Sequence, residues 1–132
     1  AQFEKWVIAP TRRIVETVRT SHPHVPVIGF PRGCGIHYPA YIRETGVSAL
    51  GIDSQISPAW AADTLQTLCP VQGNLDPACL LAGGAALEEA VLGILDDLSG
   101  GPHVFNLGHG IHKETPIAHV ETLVRLVREY HG

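Results

Sequence analysis

The residues best placed to do chemistry are His109, set between Gly108 and Gly110 where the apolar run His103 to Leu107 ends, and three polar groups that follow similar runs: Arg32, Asp53 and Asn74. A histidine titrates near neutrality, so it can hydrogen-bond a carboxylate as a cation or take part in moving a proton. The glycines on either side of His109 are expected to let the chain turn sharply and let another molecule reach the main chain, so that the imidazole is presented rather than packed. Arg32 lies in the glycine-bracketed loop Pro31 to Gly35, and its guanidinium would fork to a carboxylate, although a solvated loop arginine fits the same pattern. Asp53 ends a strand. Ser57 and Asp76, each followed by a proline, read as helix caps rather than reacting groups.

Four repeats of strand, Gly/Pro loop and helix must bring these residues together. A broken helix over Phe3 to Ser21 precedes them, with Pro10 at a tolerated first-turn position and Ile14, Val15 and Val18 as its apolar stripe. The strands are expected at Val25 to Phe30, Ala49 to Asp53, Cys69 to Gly73 and His103 to Leu107. Helices follow near His37 to Thr45 with Gly46 as closing residue, from Ser57-Pro58, from Asp76-Pro77, over Ala85 to Ser99, and from Thr115-Pro116. Leu87, Ala90, Val91, Ile94, Leu95 and Leu98 form one buried stripe, and Ile117, Val120, Leu123, Val124, Val127 and Tyr130 another. Apolar strands alternating with helices predict a parallel sheet covered by helices, an α/β fold, and such folds keep their chemistry at the carboxyl ends of the strands.

Composition narrows the function classes. With 45% hydrophobic and 17% charged residues in 132, the chain reads as a soluble globular domain, expected in the cytoplasm. A net charge of −4 and scattered arginines supply no basic stripe for nucleic acid, and no apolar run is long enough for a membrane span. Cys34, Cys69 and Cys79 are odd in number and widely spaced, which argues against a disulfide framework. Gly33-Cys34-Gly35 lacks the third glycine of a dinucleotide fingerprint. His22, His24, His112, His119 and His131 are expected to be exposed, His103 to face the surroundings of its strand, and Trp6 and Trp60 to pack between helices.

Gln72-Gly73-Asn74-Leu75-Asp76-Pro77, Asn106-Leu107-Gly108-His109-Gly110-Ile111 and Thr115-Pro116, with Ile28-Gly29-Phe30-Pro31-Arg32-Gly33 and Leu50-Gly51-Ile52-Asp53 in the expected order, resemble the C-terminal signatures of the uroporphyrinogen decarboxylase family. The resemblance runs from about Phe3 to Tyr130. It implies a single-domain (β/α)8 barrel of the TIM type, a cytosolic homodimer that converts the acetate side chains of uroporphyrinogen III to methyls, giving coproporphyrinogen III in haem biosynthesis without metal or organic cofactor. A TIM barrel typically takes about 250 residues. The resemblance therefore implies that this chain is the C-terminal half of the barrel, four parallel βα units forming one incomplete domain whose partner is a missing N-terminal half.

Among the site residues that the resemblance brings, only His109 lies in a matching motif. The family's N-terminal arginines, the aspartate after its first strand, and its tyrosine and serine or threonine from mid-chain have no counterpart here, and Tyr38 and Tyr41 are given no role. His109 is read as binding and orienting substrate rather than donating a proton, with Arg32, Asp53, Asn74 and Gly108 as further substrate contacts. The isolated chain is expected to be inactive. Two other readings stand beside this one. The superfamily's zinc- and cobalamin-linked methyltransferases hold zinc with histidine and cysteines, which Cys34, His37 and Cys79 could supply, although here the cysteine precedes the histidine. Alternatively, two open sheet edges, Val25 to Phe30 and His103 to Leu107, would make a non-catalytic half-barrel interaction module.

Overall fold

A computed structural model describes all residues, 1–132. The chain opens with a π-helical turn, Glu4–Ile8, which runs without a break into α1, Ala9–Ser21; the helix expected to break at Pro10 is continuous, and the wider turn before Pro10 is where its missing N–H is accommodated. Four short strands follow, β1 (Ile28–Gly29), β2 (Ala49–Gly51), β3 (Val71–Leu75) and β4 (His103–Leu107). They form one parallel sheet in chain order, with Leu50 against Val71 and Leu75 against Leu107. Between and after them lie α2 (Tyr38–Thr45), α3 (Pro58–Thr64), α4 (Pro77–Ala82), α5 (Gly84–Leu98) and α6 (Ile117–Glu129).

Prolines explain why two strands differ from the sequence reading. Val25 to Phe30 contracts to Ile28–Gly29 because Pro26 has no N–H for a ladder and Pro31 ends the run. Cys69 to Gly73 moves to Val71–Leu75: Pro70, without an N–H, offers the ladder only its carbonyl, which accepts from Leu50 N–H at 2.9 Å, and pairing continues while Asn74 and Leu75 meet Asn106 and Leu107 in register. The second strand ends at Gly51, though Ile52 N–H still donates to Gln72 O at 2.8 Å. Both expected caps are present: Ser57 Oγ accepts from Trp60 N–H at 3.4 Å and Asp76 Oδ1 from Ala78 N–H at 2.8 Å. Gly46, at φ +70°, closes α2 in the left-handed conformation that glycine adopts without strain.

The helices lie on one face of the sheet, and a single apolar core fills the space between, including Leu50, Val71, Leu75, Leu80, Leu87, Val91 and Leu98. The α5 stripe is buried as the periodicity requires. On α6 the stripe is rotated: Val120, Leu123, Leu126, Val127 and Tyr130 pack against the core, whereas Ile117 and Val124 are exposed. Ile14 on α1 is likewise exposed, leaving Val15 as that helix's buried residue. Trp6 and Trp60 do not pack between helices; both reach solvent, and the Trp6 indole donates to Gln2. His119 is half-buried rather than exposed, because its Nδ1 donates to Leu80 O at 3.0 Å and its ring lies over Gly83, joining α6 to α4. His103 is part-buried, with Nε2 donating to Gly73 O at 2.7 Å, and burial pushes its pKa below the ordinary value. No helix is long and apolar enough to cross a membrane.

Candidate functional site

The strands all end on the same side, so the loops after them share one rim. Asp53, just past β2, is only 3% exposed despite its charge. A buried carboxylate needs donors, and it has three: Gly33 N–H at 2.7 Å, the Tyr38 hydroxyl at 2.7 Å and Gln55 N–H at 2.9 Å. Asp53 N–H in turn donates to the Tyr38 oxygen at 3.2 Å. Burial pushes the Asp53 carboxyl up, but these hydrogen bonds and the nearby Arg32 charge outweigh it and hold the group below its usual pKa. The same pair raises Tyr38, through burial first and then its bond to Asp53. Burial, with the Asp53 charge, pushes the Cys34 thiol up to about 12, leaving it protonated and unreactive.

The end of β3 and the loop after β4 lock onto this one. The buried Asn74 side chain donates from Nδ2 to Asp53 O at 3.1 Å and to Ile56 O at 2.7 Å, bracing the loop after β2 from beneath. Gly108 is buried, its N–H donating to Leu75 O at 2.7 Å. Neither Gly108 nor Gly110 has positive φ, so a sharp turn is not what requires glycine here. At Gly108 the reason is close approach, since an added Cβ would run into the backbone of Asp53 and Ser54. Gly110 has open space around it.

Above this framework stand the exposed side chains of Arg32 and His109. They line one hollow of about 330 Å³ together with Gly33, Asp53, Ser54 and Gln55. Arg32 takes part in neither of the chain's two ion pairs, Arg12 with Glu44 and Arg125 with Glu129. Its guanidinium is therefore open to a ligand. His109 makes one long contact of 3.4 Å from Nδ1 to Gly110 O. It also borders a wider hollow of about 520 Å³ on the bare face of the sheet, lined by Ile28, Phe30, Gly51, Gln72, Asn106 and Ile111 among others.

Of the residues expected to contact substrate, the structure thus brings Arg32, Asp53 and His109 to one hollow, while Asn74 and Gly108 lie beneath it. Cys34, His37 and Cys79 do not converge: no group of three metal-capable side chains exists, and the His37 ring stacks on Phe3 at 4.9 Å. The zinc arrangement therefore has no ligand set here. Ser54 and Gln55, in the expected strand-end loop with Asp53, line the hollow beside it, whereas Tyr38, given no role from the sequence, is what the structure adds. A tyrosine buried on an apolar face needs a partner for its hydroxyl, and Asp53 at the same sheet end was the available one.

A parallel sheet helix-covered on one face, with a free cation and an imidazole over a shared hollow at the strand ends, is the layout of α/β proteins that hold small molecules at their carboxyl-end loops. Comparison with known proteins is more specific. The family model described as uroporphyrinogen decarboxylase (URO-D) matches residues 1–130. Curated relatives named uroporphyrinogen decarboxylase include that of Novosphingobium aromaticivorans, 55% identical over 97% of this chain, and that of Rhizorhabdus wittichii, 57% identical over 96%. The chain belongs to the uroporphyrinogen decarboxylase family, and it spans 38% and 37% of the length of those two relatives.

Proposed function

We propose that this chain contributes four consecutive βα units, the last four, to an eight-stranded barrel that removes the acetate carboxyls of uroporphyrinogen III to give coproporphyrinogen III. The observation that carries this reading is the meeting of Arg32 and His109 over one hollow at the carboxyl end of a parallel sheet, in a chain of this family. The substrate is a polycarboxylate, and the two groups are those that suit one: an unpaired guanidinium and an imidazole able to carry a proton. Decarboxylation becomes feasible when a protonated pyrrole serves as electron sink, so the site must hold the carboxylates, favour the protonated ring and return a proton to the carbanion. His109 binds and orients a carboxylate arm in this scheme. Asp53 faces the hollow, and Asn74 and Gly108 support it from below.

The remaining units pair with β1 and β4, each of which has a single neighbour in the sheet, and cover Ile28, Phe30 and Val104 on its bare face. The assembled barrel works as a cytosolic homodimer without a cofactor. The test is anaerobic incubation with uroporphyrinogen III, of this chain alone and of this chain mixed with the remaining βα units of a relative. No coproporphyrinogen is expected from the chain alone. The mixture is expected to produce it, and His109→Ala to reduce the rate at least about tenfold, as loss of an orienting contact does. Turnover by the chain alone would refute its dependence on the other units, and an assembled but inactive mixture would refute the assignment itself.

A further inference from the structure

We propose that Tyr38 and Asp53 are positioning residues, a buried pair that fixes the Arg32 loop against the His109 loop and so sets the separation of the two groups that face substrate. Asp53 is the point where the loops after β1, β2 and β4 meet the end of β3. Its carboxylate holds the loop after β1 through Gly33, its main chain is held by Asn74 of β3, and the peptide it shares with Ser54 packs directly on Gly108 of the loop after β4. Tyr38, at the start of α2 and fully buried, locks that carboxylate in place by donating to Oδ2 while accepting from the Asp53 N–H. A movement of Asp53 would therefore be passed in one direction through Gly33 to the neighbouring Arg32 and in the other through Gly108 to the neighbouring His109.

Charge supports a positioning role over a contact role. A bare carboxylate beside a polycarboxylate ligand would repel it, whereas Asp53 is buried under three donors, and the neighbouring Arg32 keeps its guanidinium free of any carboxylate partner in the chain. The ligand side of this inference rests on the reading above; the coupling of the two loops does not. A shortened or neutralised hub would leave Arg32 and His109 in place individually but no longer at one separation, which weakens a ligand that needs both.

The test uses amide NMR spectra of the full chain, comparing wild type with Asp53→Asn and Tyr38→Phe at matched folded fraction. Asp53→Asn is expected to shift the Gly33 and Gln55 amides together with those of Gly108 and His109, while the Glu121 amide on α6 stays in place. Tyr38→Phe should move the same set less, and it decides the question alone if Asp53→Asn does not fold. Shifts confined to Gly33 and Gln55, with Gly108 and His109 at their wild-type positions, would overturn the coupling. Titration of the chain assembled with the remaining βα units of a relative, using uroporphyrin, a stable octacarboxylic porphyrin, then separates the two claims. Tyr38→Phe should weaken its binding by roughly tenfold at unchanged folded fraction, as a displaced pair of contacts does, and equal affinity would overturn the positioning role. No response of wild-type His109 to uroporphyrin would overturn the substrate reading, with the amide pattern still deciding the coupling.

Discussion

The two faces of the sheet are built from similar apolar residues and meet different surroundings. On the helix side, Leu50, Val71 and Leu75 are fully buried beneath the helical layer. On the other side, Ile28, Phe30 and Val104 remain 47%, 48% and 50% exposed, beside the hollow that His109 borders. Apolar surface of that kind in contact with water marks a place where something else packs. The covered face supplies the stability of these four units, and the bare face leaves its apolar side chains in contact with solvent.

Core truncation should separate the faces most sharply. Leu87→Ala and Leu98→Ala, both at fully buried positions, are expected to cost about 2–5 kcal/mol in urea unfolding, whereas Val104→Ala should change stability by about 0.5 kcal/mol or less. Equal losses would mean that the bare face is already packed. Gly108→Ala should cost about 1–3 kcal/mol, because its methyl meets backbone that must move, while Gly110→Ala should be close to neutral in the same unfolding measurement. Tyr38→Phe removes a donor from a buried carboxylate and the acceptor of the Asp53 N–H, and is expected to cost about 1.5–3 kcal/mol.

Acid should act at two places in turn. His103 has a lowered native pKa, so its contribution is complete above the ordinary histidine value of 6.5 and is lost as pH falls through the lower native value. Asp53 is also lowered, so its contribution is complete above the ordinary 3.8 and is lost as pH falls further. Thermal unfolding across pH 7 to 3 should show a first decline that His103→Phe removes and a later one that Asp53→Asn removes. The smallest effect belongs to the surface: Arg125→Ala breaks an ion pair whose side chains are 54% and 65% exposed, and should shift stability by no more than about 0.5 kcal/mol.

Much of the fold was legible because its signals are local. The i, i+3, i+4 stripe of α5, the Ser57 and Asp76 caps and the run His103 to Leu107 each depend on neighbours in sequence, and each appears where the pattern puts it. The misplacements trace to packing partners. Periodicity shows that α6 has an apolar stripe, but which of Val124 and Leu126 turns inward depends on how α6 lies against α5. Likewise nothing near His119 announces the Leu80 carbonyl that half-buries it.

For the candidate site, residue type and spacing alone marked His109, Arg32 and Asp53 as groups at strand ends, and strand order in the chain matched strand order in the sheet. What only the tertiary structure decided is how those groups divide their work. Asp53 and Arg32 lie 21 positions apart in sequence, and their loops are joined by a 2.7 Å bond from the Gly33 N–H to the Asp53 carboxylate. Gly108 is needed for its lack of a Cβ against Ser54 rather than for a turn. A sequence states which hydrogen-bonding groups and volumes a chain possesses, but satisfying a buried charge or admitting a close backbone approach involves segments that meet only when the sheet has formed.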